Sequence, residues 1–124
     1  MANIIYKDES YKLVGILFDV YNNLGSGFSE IVYKDAIEYE LNILGIPYSR
    51  EKEFPVKYKD IVLRHKFYAD FTIFDKIILE IKSVEALNDK NLSQCINYLK
   101  VSNYKLAILA NFHRDFLDHQ RIVL

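Results

Sequence analysis

The chain has 124 residues, enough for one hydrophobic core and too few for two ordinary domains. Hydrophobic residues make up 51% and charged residues 27%, with ten Tyr and eight Phe, which excludes a disordered chain. Formal net charge is -1, so no global field draws the protein to a polyanion, and any nucleic-acid contact must come from a local patch.

One domain, 1–124, is expected, ordered from near residue 8. Its start carries no signal-peptide apolar core, and no apolar run is long enough to span a bilayer. Ser10 reads as an N-cap, with Leu13, Val14, Leu17, Phe18 and Tyr21 following at helical spacing and Gly25 closing the helix. After the turn Gly25-Ser26-Gly27, a second helix is expected, with Val32, Ala36, Leu41 and Leu44 as its apolar positions and Gly45 at its end. Pro47 blocks continuation.

Residues 48–58 and 62–74 read as strands joined at Lys59-Asp60, the second with Phe67, Ala69, Phe71 and Ile73 on one face. The stretch from Arg50 to Lys66 holds six Lys or Arg against three acids, with Arg64 and His65 among them. A solvated hairpin accounts for this charge as readily as phosphate contact does. Ile77 to Lys82 is a third strand, and a helix is expected from about Asp89 to Ser102, capped by Asn88 or Asp89. Cys95 lies in that helix as the sole cysteine, which excludes an intrachain disulfide and multi-cysteine metal sites and fits a reducing cytoplasm. Lys105 to Asn111 reads as a buried strand, and the tail from Phe112 to Leu124 has no clear pattern. Hairpin-joined strands followed by a helical crossover imply an α/β fold with a mixed central sheet flanked by helices.

Two features stand out chemically. Glu80-Ile81-Lys82 is the only place where a lysine has an acid two residues before it, and a strand projects both to one face. Asp70 interrupts an otherwise apolar strand, where Asp is disfavoured. A strand-end ion pair and an edge position are the plain readings of the two. Their convergence has a geometric condition. With a two-residue loop at Asp75-Lys76, Asp70 would oppose Ile81 and the carboxylates would diverge. A Phe74-Asp75-Lys76 loop, or a bulge, is needed to bring Asp70 and Glu80 together. Converged carboxylates suit a hard divalent cation such as Mg2+ (or Mn2+), which polarises a phosphodiester and acidifies a bound water. Lys82 can orient that water and balance developing charge.

Gly27-Phe28-Ser29-Glu30-Ile31-Val32-Tyr33 carries the pattern of the GxxExxY proteins. The chain resembles that family, a branch of the PD-(D/E)xK nuclease-like superfamily, through Ala69-Asp70-Phe71, Leu79-Glu80-Ile81-Lys82, Gln94 with Tyr98-Leu99, and Asn111-Phe112. The resemblance implies a restriction-endonuclease-like αβββαβ core. It implies a metal held by Asp70, Glu80 and the Ile81 carbonyl, with Glu30 as a further acid and Gln94 positioning phosphate or water. Ala69 stands where the superfamily name places a proline, and Tyr104-Lys105-Leu106-Ala107 lacks a glycine expected before the last strand. The plain readings are a helix-start acid for Glu30, core packing for Tyr33 and Tyr98, and a surface position for His65. Tyr33, Tyr98, His65 and Arg64 are also carried as candidate substrate contacts. The function expected is a Mg2+-dependent nuclease acting on DNA in repair, restriction or defence, with a homodimer supplying grip. The alternative is a non-catalytic nucleic-acid- or protein-binding module.

Overall fold

The computed structural model describes residues 4–124, and the first three residues of the expected domain lie outside that range. The order is α1 (Lys7–Leu24), α2 (Glu30–Leu44), β1 (Tyr48–Tyr58), β2 (Ile61–Ile73), β3 (Ile77–Lys82), α3 (Asp89–Ser102), β4 (Leu106–Asn111) and β5 (Asp118–Val123). The strands form one sheet in the order β1-β2-β3-β4-β5. Every neighbouring pair is antiparallel except β3 and β4, which run parallel. A parallel neighbour needs a crossover, and α3 supplies it.

Helices cover both faces of the sheet. On one side Phe71, Ile73, Ile77, Leu79, Ile81, Leu106, Ile108 and Ala110 share a core with α1 and α2. On the other, Ile78, Ala107 and Leu109 meet Cys95, Tyr98 and Leu99 of α3. Both faces of β3 and β4 are therefore apolar, as sequences buried on two sides must be. Glu80 is the acid among them.

Several expectations shift. Ser10 is not the N-cap: α1 starts at Lys7, after Tyr6 in a left-handed conformation (φ 50°, ψ 46°). The Ser10 hydroxyl is instead buried inside the helix, donating to the Lys7 carbonyl and accepting from Arg121 Nη1 at 2.6 Å. Phe18 is exposed, edge-on to His119. The buried stripe of α2 is Tyr33, Ile37 and Leu41, while Val32 and Ala36 lie on its flank and Leu44 is exposed. Asn88 caps α3 in a reciprocal box with Asn91. The tail forms β5 against β4.

The largest shift falls in β2. Phe67 and Ala69 join the α3 side, whereas Phe71 and Ile73 join the α1–α2 side. Only Phe71, Thr72 and Ile73 pair with β3, so residues before Asp70 leave the sheet as a two-stranded ribbon with β1. Such ribbons twist more strongly than sheets. Glu51, in β1, has φ 55°, a kink that helps roll the ribbon over at Asp70.

Candidate active site

The β2–β3 connection is the three-residue loop Phe74-Asp75-Lys76, because Ile73 pairs with Ile77. Phe74 and Asp75 both take positive φ, 58° and 53°, to close it. This is the first of the two arrangements that convergence allowed, the loop rather than a bulge. Phe71 pairs with Leu79, and the next positions along are Asp70 and Glu80.

At that point the strands splay, and side chains replace the backbone ladder. The Asp70 N–H donates to Glu80 Oε1 at 2.9 Å, and the Ile81 N–H donates to Asp70 Oδ2 at 2.8 Å. Buried N–H groups that lose a ladder partner must find another, and the two carboxylates supply it. Asp70 is 8% exposed and Glu80 3%. Burial pushes the Glu80 carboxyl well above the usual carboxylate range, and the Asp70 charge adds to the shift. The Asp70 N–H and the Lys82 charge oppose it.

A cation already sits against the pair. Lys34 Nζ, from α2, is 2.7 Å from Asp70 Oδ1 and 3.0 Å from Glu51 Oε1. Desolvation works against the Lys34 charge, but hydrogen bonds to Asp70 and Glu51 outweigh it and hold its pKa above the ordinary value. Sequence reasoning passed over Lys34. It lies four positions after Glu30, so both project from one face of α2, but nothing local to the helix announces a partner in β2.

Glu30 reaches a different point. Its Oε2 accepts from the Ser83 N–H at 3.3 Å, just past the end of β3. Among the described residues no group of three or more His, Cys, Asp or Glu side chains is placed to hold a metal ion. The structure thus brings Asp70 and Glu80 together as a pair, with Glu30 bonded elsewhere, to the Ser83 N–H. Glu30 lines an open cleft of about 670 Å³ with Gly27, Phe28, Ser29, Ile31, Ser83 and His113. Lys82 is half-buried, and its ammonium makes no ion pair among the described residues. Lysine is thus left free next to the acids.

From the other face, α3 presents Cys95, Tyr98 and Gln94. The Gln94 amide donates to the Tyr98 hydroxyl at 3.1 Å. Burial, then the Glu80 and Asp70 charges, push the Tyr98 hydroxyl upward. Burial, then Glu80, push the Cys95 thiol up to about 12, which keeps it protonated and unfit as a nucleophile. Gln94 thus bonds within its own helix, to Tyr98.

Tyr33 is fully buried. It stacks on Phe112 at 4.3 Å, donates to the Gly25 carbonyl and accepts from the Phe28 N–H. It fixes the turn before α2 and offers no face to a substrate. Arg64 and His65 are exposed on the ribbon, His65 edge-on to Phe67. Asn111, also passed over as a site support, is buried and holds the chain after Lys82: its Oδ1 accepts from the N–H groups of Val84 and His113, and its Nδ2 donates to the Val84 carbonyl.

The donor chemistry fits a hard divalent cation. Two buried carboxylates and the Ile81 carbonyl are oxygen donors of the kind Mg2+ and Mn2+ take. The pair carries negative charge that burial disfavours and that a cation, here Lys34, relieves.

Residues 7–122 match the PD-(D/E)XK nuclease superfamily, and the chain belongs to that superfamily. No curated protein matches it. Among solved structures it is similar to the crystal structure of SSO0001, with a TM-score of 0.58 and 18% identity. The match covers 95% of this chain and 57% of that one, so the chain spans little more than half the length of its structural relative. At that identity the likeness shows the fold alone. The fold is α/β and restriction-endonuclease-like, a mixed five-stranded sheet flanked by helices. No helix among the described residues is long and apolar enough to cross a membrane.

Proposed function

We propose that this chain is a Mg2+- or Mn2+-dependent nuclease of the GxxExxY branch, hydrolysing phosphodiester bonds in DNA. The observation that carries the reading is the meeting of Asp70 and Glu80 at the point where β2 and β3 splay, with Lys82, two residues on from Glu80, in no ion pair among the described residues. Asp70, Glu80 and the Ile81 carbonyl would hold the cation, which supplies Lewis acidity toward the phosphodiester and lowers the pKa of a bound water. Lys82 donates to that water and balances charge developing on phosphate. Glu30 flanks the cleft at Ser83, where it can receive a proton or orient a second water. Gln94, bonded to the Tyr98 hydroxyl, is the proposed phosphate- or water-positioning group on α3. The ribbon cations Lys57, Lys59 and Arg64 form no ion pairs among the described residues and are the proposed phosphate contacts. A homodimer would double that contact, and the context proposed is repair, restriction or defence in a reducing cytoplasm, which the lone cysteine suits.

The test is cleavage of single- and double-stranded DNA and RNA with Mg2+, Mn2+ or EDTA, comparing the parent with Lys82→Ala. Metal-dependent cleavage that Lys82→Ala loses, while its metal-induced melting shift persists, supports the reading. Cleavage that survives in Lys82→Ala or in EDTA excludes it.

A second reading has its own observation. Both carboxylates cap backbone N–H groups and Lys34 neutralises Asp70, so the acids already have structural work. On that reading the chain is a non-catalytic nucleic-acid- or protein-binding module. It predicts nucleic-acid binding with no cleavage under any metal.

A further inference from the structure

Asp70 has two carboxylate oxygens with different surroundings. Oδ2 is engaged by the Ile81 N–H, a backbone group that cannot leave without breaking the strand junction. Oδ1 is the oxygen left to face a ligand, and Lys34 Nζ stands 2.7 Å from it. The same ammonium is 3.0 Å from Glu51 Oε1. The two acids differ in burial: the Asp70 side chain is 12% exposed and the Glu51 side chain 51%. Lys34 therefore bridges an inner carboxylate and an outer one.

Its stem suits a hinge. Lysine carries a compact charge on four flexible carbons, so the ammonium can move while α2 stays in place. Glu51 occupies a positive-φ position in β1 that aims its carboxylate at the outer side of the ammonium. Two cations cannot share Asp70 Oδ1, because like charges at contact distance repel strongly in a half-desolvated site.

We propose that Lys34 is the resident counter-ion of the Asp70–Glu80 pair, and that a divalent cation binds by taking its place at Asp70 Oδ1 while the ammonium moves outward onto Glu51. The inference rests on the metal-centre reading of Asp70 and Glu80. Lys34 is then a positioning residue. It keeps the metal-free site neutral enough to fold and weakens metal affinity by competing for the same oxygen. Glu51 is the receiver that makes the exchange affordable.

The test is calorimetric titration of Mg2+ and Mn2+ into the parent, Lys34→Met, Lys34→Arg and Glu51→Gln, with a melt of each in EDTA to establish folding. Lys34→Met should bind metal on the order of tenfold tighter, the effect of removing one adjacent like charge. Lys34→Arg should stay at or below the parent, and Glu51→Gln should bind more weakly. Lys34→Met binding equally or more weakly, beside a parent that binds, overturns the exchange and leaves the metal centre standing. Folded proteins none of which binds metal overturn both. Should Lys34→Met not fold, amine-reactive footprinting of the parent decides: metal should raise modification of Lys34, and an unchanged or lower rate contradicts the proposal.

Discussion

Asp70 and Glu80 clamp each other's strands: the Asp70 N–H is held by the Glu80 carboxylate, and the Asp70 carboxylate holds the N–H of Ile81. Each acid thereby replaces one rung of the ladder that stops at Phe71 and Leu79. The same reciprocity that closes the strand junction puts the two carboxyl groups together. Structural and chemical roles are thus coupled at one point.

The coupling has a stability cost that Glu80 reveals. Its folded pKa is raised, by burial first and then by Asp70. A group raised on folding is favourable while protonated, and stability is lost as pH climbs from the ordinary carboxylate range through its folded value. Glu80→Gln keeps an oxygen for the Asp70 N–H and removes the charge. It should stabilise the metal-free protein at neutral pH by about 1 kcal/mol or more. Urea melts across pH should show that gain shrinking toward zero in acid, where the parent is protonated in both states.

Asn111 should matter out of proportion to its distance from the acids. It makes three hydrogen bonds that fix Val84 and His113 behind Lys82. Asn111→Ala leaves the half-buried Val84 backbone groups unpaired and should cost roughly 1–3 kcal/mol. Denaturant melts measure the loss, and faster amide exchange at Val84 would locate it.

Thr72 makes the opposite case. Its hydroxyl is buried with no hydrogen-bond partner among the described residues. Thr72→Val removes that polar atom at nearly constant shape, so stability should be unchanged or rise by about 1 kcal/mol. A loss above about 1 kcal/mol in the same melt would mean the hydroxyl has a partner after all.

The ribbon should act through charge alone. Replacing Arg64 with Ala should weaken nucleic-acid binding similarly for different sequences and lower the salt slope of log K by about one. Fluorescence anisotropy from low to high salt checks this. Its metal-induced melting shift should match the parent's, because Arg64 lies on the ribbon, away from the acids.

Much of this was legible because the local patterns are strong. The alternation of β3, the Gly25 and Gly45 stops and the Asn88 cap follow from period and capping chemistry. The Phe74-Asp75-Lys76 loop was legible in a different way, as the register that the two carboxylates needed in order to meet. What escaped depends on distance along the chain. Lys34 pairs with an acid in another element, and helix periodicity says nothing of that. Ser10 reads as a cap when only the local backbone is considered, while Arg121 of the last strand claims its hydroxyl. The two-residue period puts Ala69 and Phe71 on one face, and it fails where a ribbon twists out of a sheet. Glu30 shares a helix face with Lys34, and only tertiary geometry says that the lysine, not the acid, lies against Asp70.

The most direct test of the account is the melting temperature of the parent and of Asp70→Asn as Mg2+ or Mn2+ is titrated against EDTA. A ligand bound by the folded state alone adds RT ln(1 + [L]/Kd) to stability. Asn keeps an acceptor for the Ile81 N–H, so the fold is retained while the charge is lost. A metal centre at Asp70 and Glu80 predicts a concentration-dependent rise in the parent that Asp70→Asn lacks. An equal rise in both proteins, or none in either, would contradict a metal centre at Asp70 and Glu80.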